Sequence, residues 1–106
     1  MQYIVIGHDG TDPAALDRRL SARPAHIKMG DEMRSKGKHL LGVALLNDEG
    51  KMAGSVMLVD FDSRDELDSW LEVEPYVVGK VWEKIEIKRC QVGPSFQSLF
   101  SSGRCG

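Results

Sequence analysis

The sequence predicts an α+β domain of the split βαβ, or ferredoxin-like, type, with a four-stranded antiparallel sheet and helices on one face. Four runs rich in β-branched, aromatic and aliphatic residues alternate with two helical patterns, in the order β-α-β-β-α-β. The turn sequence 47–50, Asn-Asp-Glu-Gly, separates the two middle runs and favours a hairpin between them.

The first half of the chain predicts a strand followed by an interrupted helix. The strand is expected over residues 2–8, and Asp12 is the expected N-cap of a helix that starts at Pro13. Pro24 has no backbone N–H and disfavours helical geometry at Arg23. We therefore expect a short helix over residues 13–20, a break over 21–23 and a second helix over 24–35.

The second half predicts three more strands, over residues 39–46, 52–61 and 81–92. Ser63 and Glu66 have the spacing of a capping box and predict a helix over 64–72. Glu74 and Pro75 predict a further short helical turn that ends near Gly79. Alternation in the last strand predicts one side formed by Val81, Ile85 and Ile87, and an opposite side formed by Trp82, Lys84, Glu86 and Lys88.

The length of 106 residues predicts one domain, over residues 1–92, followed by a tail over 93–106. The tail is rich in serine and glycine but carries Phe96, Leu99 and Phe100. Two interpretations remain open: a flexible tail, or a segment that docks these three side chains on a neighbouring surface.

Composition argues against several classes of function. The formal net charge is −2, with 14 basic and 16 acidic residues and no basic stripe, which argues against nucleic-acid binding. No apolar run approaches the ~18 residues of a membrane span. The N-terminal apolar run is short and lacks a basic leader, so it is interpreted as a strand, and we expect a cytoplasmic protein.

Cofactor and metal signatures are not found. The glycines form no phosphate-binding loop, and neither CxxC pairs nor ligand spacings for a metal occur, so we expect no cofactor and no metal. A site built from His8, His26 and His39 is the alternative. Cys90 and Cys105 are interpreted as free thiols, with a disulfide between them as the alternative.

The sheet face that the helices leave uncovered is expected to be apolar, because the second and third strands are apolar on both faces. An apolar patch of this size on a small domain indicates a partner. Face-to-face packing of two sheets predicts a homodimer.

His26 is the principal candidate for chemistry. It shares a helix face with Met29, Gly30 and Met33, and this apolar face is expected to pack on the sheet. Histidine can act as a general acid or base near neutral pH. Glu74, at a distant helix start, is the candidate carboxylate that would orient its ring. The structural alternatives are a core histidine and a carboxylate that only caps its helix.

Arg23 and Tyr76 are the candidate ligand-contacting residues. The planar guanidinium of Arg23 can hold an anion, and Tyr76 can line a pocket or donate a hydrogen bond. The alternative for Arg23 is an exposed charge, and the alternative for Tyr76 is an aromatic side chain that only packs.

These segments together resemble the YciI-like (YCII-related) family over residues 1–92. The resemblance rests on Arg23-Pro24-Ala25-His26, the Lys36-Gly37 helix end, the strand over 54–61, the segment 62–66 and Glu74-Pro75-Tyr76. It implies a ferredoxin-like fold whose sheets pack into a dimeric α+β barrel. It also implies a histidine–aspartate pair in a pocket, with His26 as the histidine and Glu74 where relatives have aspartate. A few relatives act on small aromatic compounds, including a dehydrochlorinase of a chlorinated hydroquinone.

We therefore expect a dimeric barrel that binds a small aromatic or anionic molecule. Its expected chemistry is that of a cofactor-independent lyase or isomerase, in which His26 moves a proton and Glu74 holds its tautomer. The alternative is a non-catalytic ligand-binding or structural dimer. A third interpretation is an adaptor that binds its partner through the segment 96–100.

Overall fold

The computed structural model describes residues 1–101. Its strands are β1 (Gln2–Asp9), β2 (His39–Leu46), β3 (Met52–Asp60) and β4 (Trp82–Cys90), and its helices are α1 (Ala15–Ser35), α2 (Arg64–Val73), α3 (Pro75–Val78) and α4 (Gln97–Ser101). The four strands form one sheet in the order β2-β3-β1-β4, and every neighbouring pair is antiparallel. The predicted α+β fold and its β-α-β-β-α-β order are confirmed.

The core lies between one face of the sheet and the helices. In β1 the buried residues alternate with half-buried ones, and Tyr3 and Val5 are 3% and 0% exposed. Met57 and Val59 lie beside them on β3, and Leu67 and Trp70 of α2 complete the same cluster. The Ser63 hydroxyl accepts the Glu66 backbone N–H at 3.1 Å, as the capping box predicts.

Helix α1 is continuous, and the predicted break before Pro24 is wrong. Pro24 lies on the exposed side of α1, where the carbonyl that loses its N–H partner can be hydrated. The helix also begins at Ala15 instead of Pro13. The Asp12 side chain accepts the Ala14 N–H at 3.3 Å, so Asp12 caps the turn that leads into the helix.

The predicted side of Trp82 is also wrong. The pairing of β1 with β4 shifts between His8 and Asp9, so that Asp9 lies opposite Trp82. This irregularity turns Trp82 onto the helix-covered face, where it is 6% exposed. Gly7 makes room for it, because a Cβ on Gly7 would lie 2.4 Å from the indole ring.

The other sheet face, here called the open face, has no helix against it in the described part of the chain. Register places seven aliphatic side chains together on it: Ile4, Ile6, Leu41, Val43, Leu45, Val56 and Leu58. Leu41 and Val43 are 52% and 49% exposed. The apolar surface that the sequence predicts is therefore present.

The tail begins with a 3-10 turn (Pro94–Phe96) followed by α4. Phe96 and Leu99 are 58% and 67% exposed, so neither is buried against the domain. The alternative disulfide involves Cys105, which lies outside the described residues, as does the rest of the predicted tail over 102–106. Within residues 1–101, no helix combines the length and apolar character that crossing a bilayer requires.

Candidate functional site

A cavity of about 390 Å³ lies between α1 and the β2 side of the sheet. Its lining includes Arg23, His26 and Tyr76, three of the four residues that the sequence singles out. The fourth, Glu74, is bonded to His26 behind the cavity wall. The structure thus brings all four predicted residues to one place.

His26 and Glu74 form a short contact. His26 Nδ1 lies 2.5 Å from Glu74 Oε1, and the two side chains are 16% and 1% exposed. A buried carboxylate is an acceptor, so this contact favours the ring tautomer with the proton on Nδ1. His26 Nε2 makes no hydrogen bond within residues 1–101. In the neutral ring with the proton on Nδ1, Nε2 carries a lone pair that can accept a proton.

Glu74 also has the capping role that the sequence offered as its structural alternative. Its Oε1 accepts the backbone N–H of Tyr76 at 3.1 Å, which caps α3 directly after α2 ends at Val73. Pro75 occupies the first helical position and fixes the local backbone. The carboxylate is therefore held from one side by α3 and contacts His26 with the same oxygen.

Tyr76 fixes the plane of the His26 ring. The two rings stack with centroids 3.8 Å apart and an interplanar angle of 12°. Trp82 contacts both rings edge-on, at centroid distances of 6.3 Å from His26 and 5.6 Å from Tyr76. Burial raises the pKa of the Tyr76 hydroxyl, and the charges of Arg19 and Arg23 partly oppose this shift.

A buried ion pair that was not predicted from the sequence lies beside this stack. Arg19 Nη1 donates to both carboxylate oxygens of Asp9, at 3.0 and 3.1 Å, and Nη2 donates to Ser55 Oγ at 2.8 Å. Its guanidinium also lies 4.7 Å from the centre of the Tyr76 ring. Burial raises the pKa of the Asp9 carboxyl, and the charge and hydrogen bonds of Arg19 partly offset that rise.

One signal in the sequence pointed to Arg19. It lies four residues before Arg23 and seven before His26, so all three share one face of a continuous helix. The expected break before Pro24 concealed this relationship. Arg23 itself lines the cavity and is exposed to solvent.

His39, at the start of β2, is a second histidine in the cavity lining. Two glycines make room for its ring: a Cβ on Gly30 would lie 3.2 Å from Nδ1, and one on Gly42 would lie 3.0 Å from Nε2. Nε2 is buried without a hydrogen-bond partner in the described part of the chain. Burial lowers the pKa of His39, with the backbone carbonyls of Gly30 and Leu41 acting in the opposite direction.

The alternative metal site from three histidines is not formed. His8 points to the open face, where its Nε2 lies 2.8 Å from Glu86 Oε2 and this contact lowers the pKa of Glu86. Its ring is therefore separated from His26 and His39 by the sheet. Across residues 1–101, no group of three or more histidine, cysteine, aspartate and glutamate side chains could hold a metal ion.

The fold and site together define a ferredoxin-like α+β domain with a histidine in the wall of a cavity and a buried carboxylate bonded to it from behind. The chain belongs to the YCII-related family, since the model of the YCII-related domain matches residues 1–91. It is 30% identical over 94 residues to Protein YciI of Escherichia coli O6:H1, covering 83% of this chain and 94% of that protein. The figures for Protein YciI of Shigella flexneri are the same.

Two solved structures show the same fold. The first is 5-chloro-2-hydroxyhydroquinone dehydrochlorinase (TftG) of Burkholderia phenoliruptrix AC1100 in complex with 2,5-dihydroxybenzoquinone, with a TM-score of 0.75, 23% identity and coverage of 90% of this chain and 98% of that chain. The second is a dimeric ferredoxin-like protein of unknown function from Jannaschia sp. CCS1, with a TM-score of 0.51, 16% identity and coverage of 86% and 98%.

Proposed function

We propose that the protein is a cofactor-independent enzyme that moves a proton on a small aromatic or anionic molecule, as a lyase or isomerase. His26 is the general acid or base, and Glu74 positions its ring. Arg23 and Tyr76 contact the ligand. The observation that carries this proposal is the 2.5 Å contact between His26 and Glu74 at the wall of a cavity.

The proposed step uses the free ring nitrogen of His26. With the Nδ1 proton shared with Glu74, Nε2 takes a proton from a carbon or hydroxyl of the ligand. The electron pair left behind either forms a double bond and expels a leaving group with its own electron pair, or shifts along the ligand before the proton returns at another atom. The first course is elimination, and the second is isomerisation.

Two further observations support this assignment. The volume of about 390 Å³ lies within the usual range for small-molecule sites. The structural similarity to a dehydrochlorinase in complex with a dihydroxybenzoquinone, at a TM-score of 0.75, favours hydroxylated ring compounds and an elimination.

The test measures turnover on a panel of hydroxylated and chlorinated aromatics. Turnover is detected as release of chloride and as exchange of ring protons with deuterated solvent. We expect His26→Asn to abolish turnover of any compound that the unaltered protein converts, and Glu74→Gln to reduce it strongly. His8→Asn is the matched control, because His8 also contacts a glutamate but lies outside the cavity. Equal turnover by the His26 and His8 variants would refute the proposal.

A non-catalytic ligand-binding or structural dimer is the second candidate. It is favoured by the fact that Glu74 Oε1 also caps α3 while His26 stacks on Tyr76, so both side chains stabilise packing. Under this candidate, His26→Asn lowers the melting temperature but leaves ligand affinity unchanged, and no member of the panel is converted.

We also propose that the open face pairs with the open face of a second copy, which gives a dimeric α+β barrel. The seven aliphatic side chains on that face support this pairing, as does the dimeric state of the ferredoxin-like protein from Jannaschia sp. CCS1.

A further inference from the structure

The cavity lining contains three arginines with different surroundings: Arg19, Arg23 and Arg34. Arg19 is neutralised by the buried carboxylate of Asp9, to which it donates two hydrogen bonds. Arg34 has Asp31 one helical turn before it on the same wall of the cavity. Arg19 is therefore paired with a carboxylate, whereas Arg34 forms no ion pair within residues 1–101 but has an acidic neighbour three residues away on α1.

Arg23 differs from the other two arginines. The positions three and four residues away from it on α1 are occupied by Arg19, Leu20, His26 and Ile27, none of which is acidic. Like Arg34 it forms no ion pair within residues 1–101, but unlike Arg34 it has no acidic neighbour at these spacings. Since helical neighbours at these spacings are the ones that contact each other, α1 itself supplies no anion to Arg23.

The location of Arg23 ties its charge to the proposed chemistry. It lies three residues before His26, so their Cβ atoms are about 5–6 Å apart on the same helix face. Its charge also acts on the Tyr76 hydroxyl, whose ring stacks on His26. An anionic oxygen on Arg23 would therefore lie beside the ring that moves the proton.

We propose that the cavity takes a small monoanion whose negatively charged oxygen binds Arg23, one helical turn from the atom that exchanges its proton with His26. This inference rests on the proposed function for the identity of the reacting atom, but the charge preference itself does not depend on turnover. The charged oxygen belongs to a carboxylate or to a phenolate, both of which accept hydrogen bonds from a guanidinium; a carboxylate can accept two in parallel, and a phenolate accepts at its single oxygen.

The arrangement has a chemical consequence. Removing a proton from a molecule that is already an anion builds a second negative charge close to the first. A fixed cation beside the first charge lowers that cost. Arg23 would thus assist the proton transfer while it selects the ligand.

The experiment measures binding by NMR titration and calorimetry with matched probes. The carboxylate arm compares 4-hydroxybenzoate with neutral 4-hydroxybenzamide, and the phenolate arm compares pentafluorophenolate with neutral pentafluorobenzyl alcohol. We expect at least one anion to bind roughly tenfold more tightly than its neutral counterpart. The arm that shows this preference identifies the source of the charge.

Two variants separate Arg23 from the rest of the cavity. In Arg23→Gln the affinity for the anion should fall roughly tenfold, to that of the neutral probe, while the affinity of the neutral probe is unchanged. Arg34→Gln is the matched control from the same wall, and should change the anion's affinity by less than about twofold.

Three results would overturn the inference: equal binding of each anion and its neutral counterpart, an equal loss in the two arginine variants, or no saturable shift at the cavity with any anion up to about 10 mM. The inference and the proposed function fail separately. If His26→Asn retains the charge preference and turnover is never found, the anion site stands without the proposed chemistry. If turnover depends on His26 but no anion binds more tightly than its neutral counterpart, the proposed chemistry is supported and the anion site is refuted.

Discussion

Glu74 Oε1 lies 2.5 Å from His26 Nδ1 although the two residues are 48 positions apart in the chain. Helix α1 carries the histidine, and the junction between α2 and α3 carries the carboxylate. The carboxylate is 1% exposed, so its negative charge is partnered almost entirely by groups of the protein. Its two partners, the His26 ring and the Tyr76 N–H, place the ring against the cavity wall.

The first prediction concerns Glu74→Gln, a variant that removes the negative charge of the side chain and keeps its size. In Glu74→Gln the amide oxygen can still accept one N–H, but the charge-assisted bond is lost, so we expect a loss of about 1–3 kcal/mol in the free energy of unfolding. The proportion of His26 with its proton on Nδ1 should fall, because the neutral amide stabilises that tautomer less. Urea denaturation and ¹⁵N chemical shifts of the ring measure the two effects.

Glu86→Gln is the control for this variant. Glu86 also contacts a histidine, His8, but its side chain is 37% exposed. At protein concentrations too low for two open faces to pair, we expect no measurable change in unfolding from this variant, since water screens the contact between Glu86 and His8. If both glutamine variants unfold at the same urea concentration as the unaltered protein, the buried contact contributes nothing and the site geometry is wrong.

The second prediction concerns the close approach of Gly7 and Trp82. A Cβ on Gly7 would lie 2.4 Å from two ring carbons of Trp82, which is 6% exposed and cannot move without disturbing the stack of His26 on Tyr76. Gly7→Ala should therefore destabilise the fold by about 1–3 kcal/mol or more. It should also shift the NMR signals of the His26 ring.

Gly93→Ala provides the comparison. Its Cβ would meet Phe96 at 3.6 Å, an ordinary contact. We expect a change within about 0.5 kcal/mol in the free energy of unfolding for this variant. Equal melting temperatures for the two alanine variants would show that Trp82 does not occupy the space beside Gly7.

The pattern of the sequence was sufficient to predict the four-stranded sheet and helices α2 and α3, and it singled out the four residues of the proposed site. Hydrophobic periodicity and capping residues are local signals, and they place His26 on the sheet side of α1 and Glu74 at the start of α3. The contact between them follows once both helices pack on the same face of the sheet.

The errors have physical causes that lie outside local patterns. Pro24 was predicted to break α1, but a proline on the exposed side of a long helix is tolerated when packing holds the residues on both sides of it. Trp82 was placed on the wrong face because a shift of strand register cannot be recognised from one strand alone. The pair of Arg19 and Asp9 depends on the register at the end of β1, and the alignment of Arg19 with Arg23 and His26 depends on a continuous α1.

The third prediction is a dependence of stability on pH that originates from His39. Burial lowers its pKa in the folded protein from the ordinary value of 6.5, so the unfolded chain binds the proton more readily. The free energy of unfolding therefore falls as the pH drops through 6.5 towards the lower pKa of the folded state, and is constant with respect to this group above that window. Thermal unfolding at a series of pH values measures the slope.

His39→Gln should flatten that part of the profile, because glutamine does not titrate. NMR titration of the unaltered protein should give His39 a lower pKa than a histidine in an unfolded peptide. A pKa at or above 6.5 for His39 would contradict the buried environment between Gly30 and Gly42.

The fourth prediction tests the proposed pairing of two open faces. Val56 lies near the middle of the open face, on β3 beside Ile6 of β1. In the monomer its side chain points away from the helices, so Val56→Glu should fold. In a dimer the same carboxylate would be buried among aliphatic side chains without a partner, which should weaken association by about 3 kcal/mol, or roughly a hundredfold.

Sedimentation velocity should show a dimer for the unaltered protein and a monomer for Val56→Glu at the same concentration. Val73→Glu is the matched control, since Val73 is a 58% exposed valine at the end of α2, on the helix side of the sheet, and the variant should remain a dimer. An unaltered protein that sediments as a monomer, or a Val56→Glu variant that dimerises as strongly as Val73→Glu, would mean that the open face is not the surface through which two copies associate.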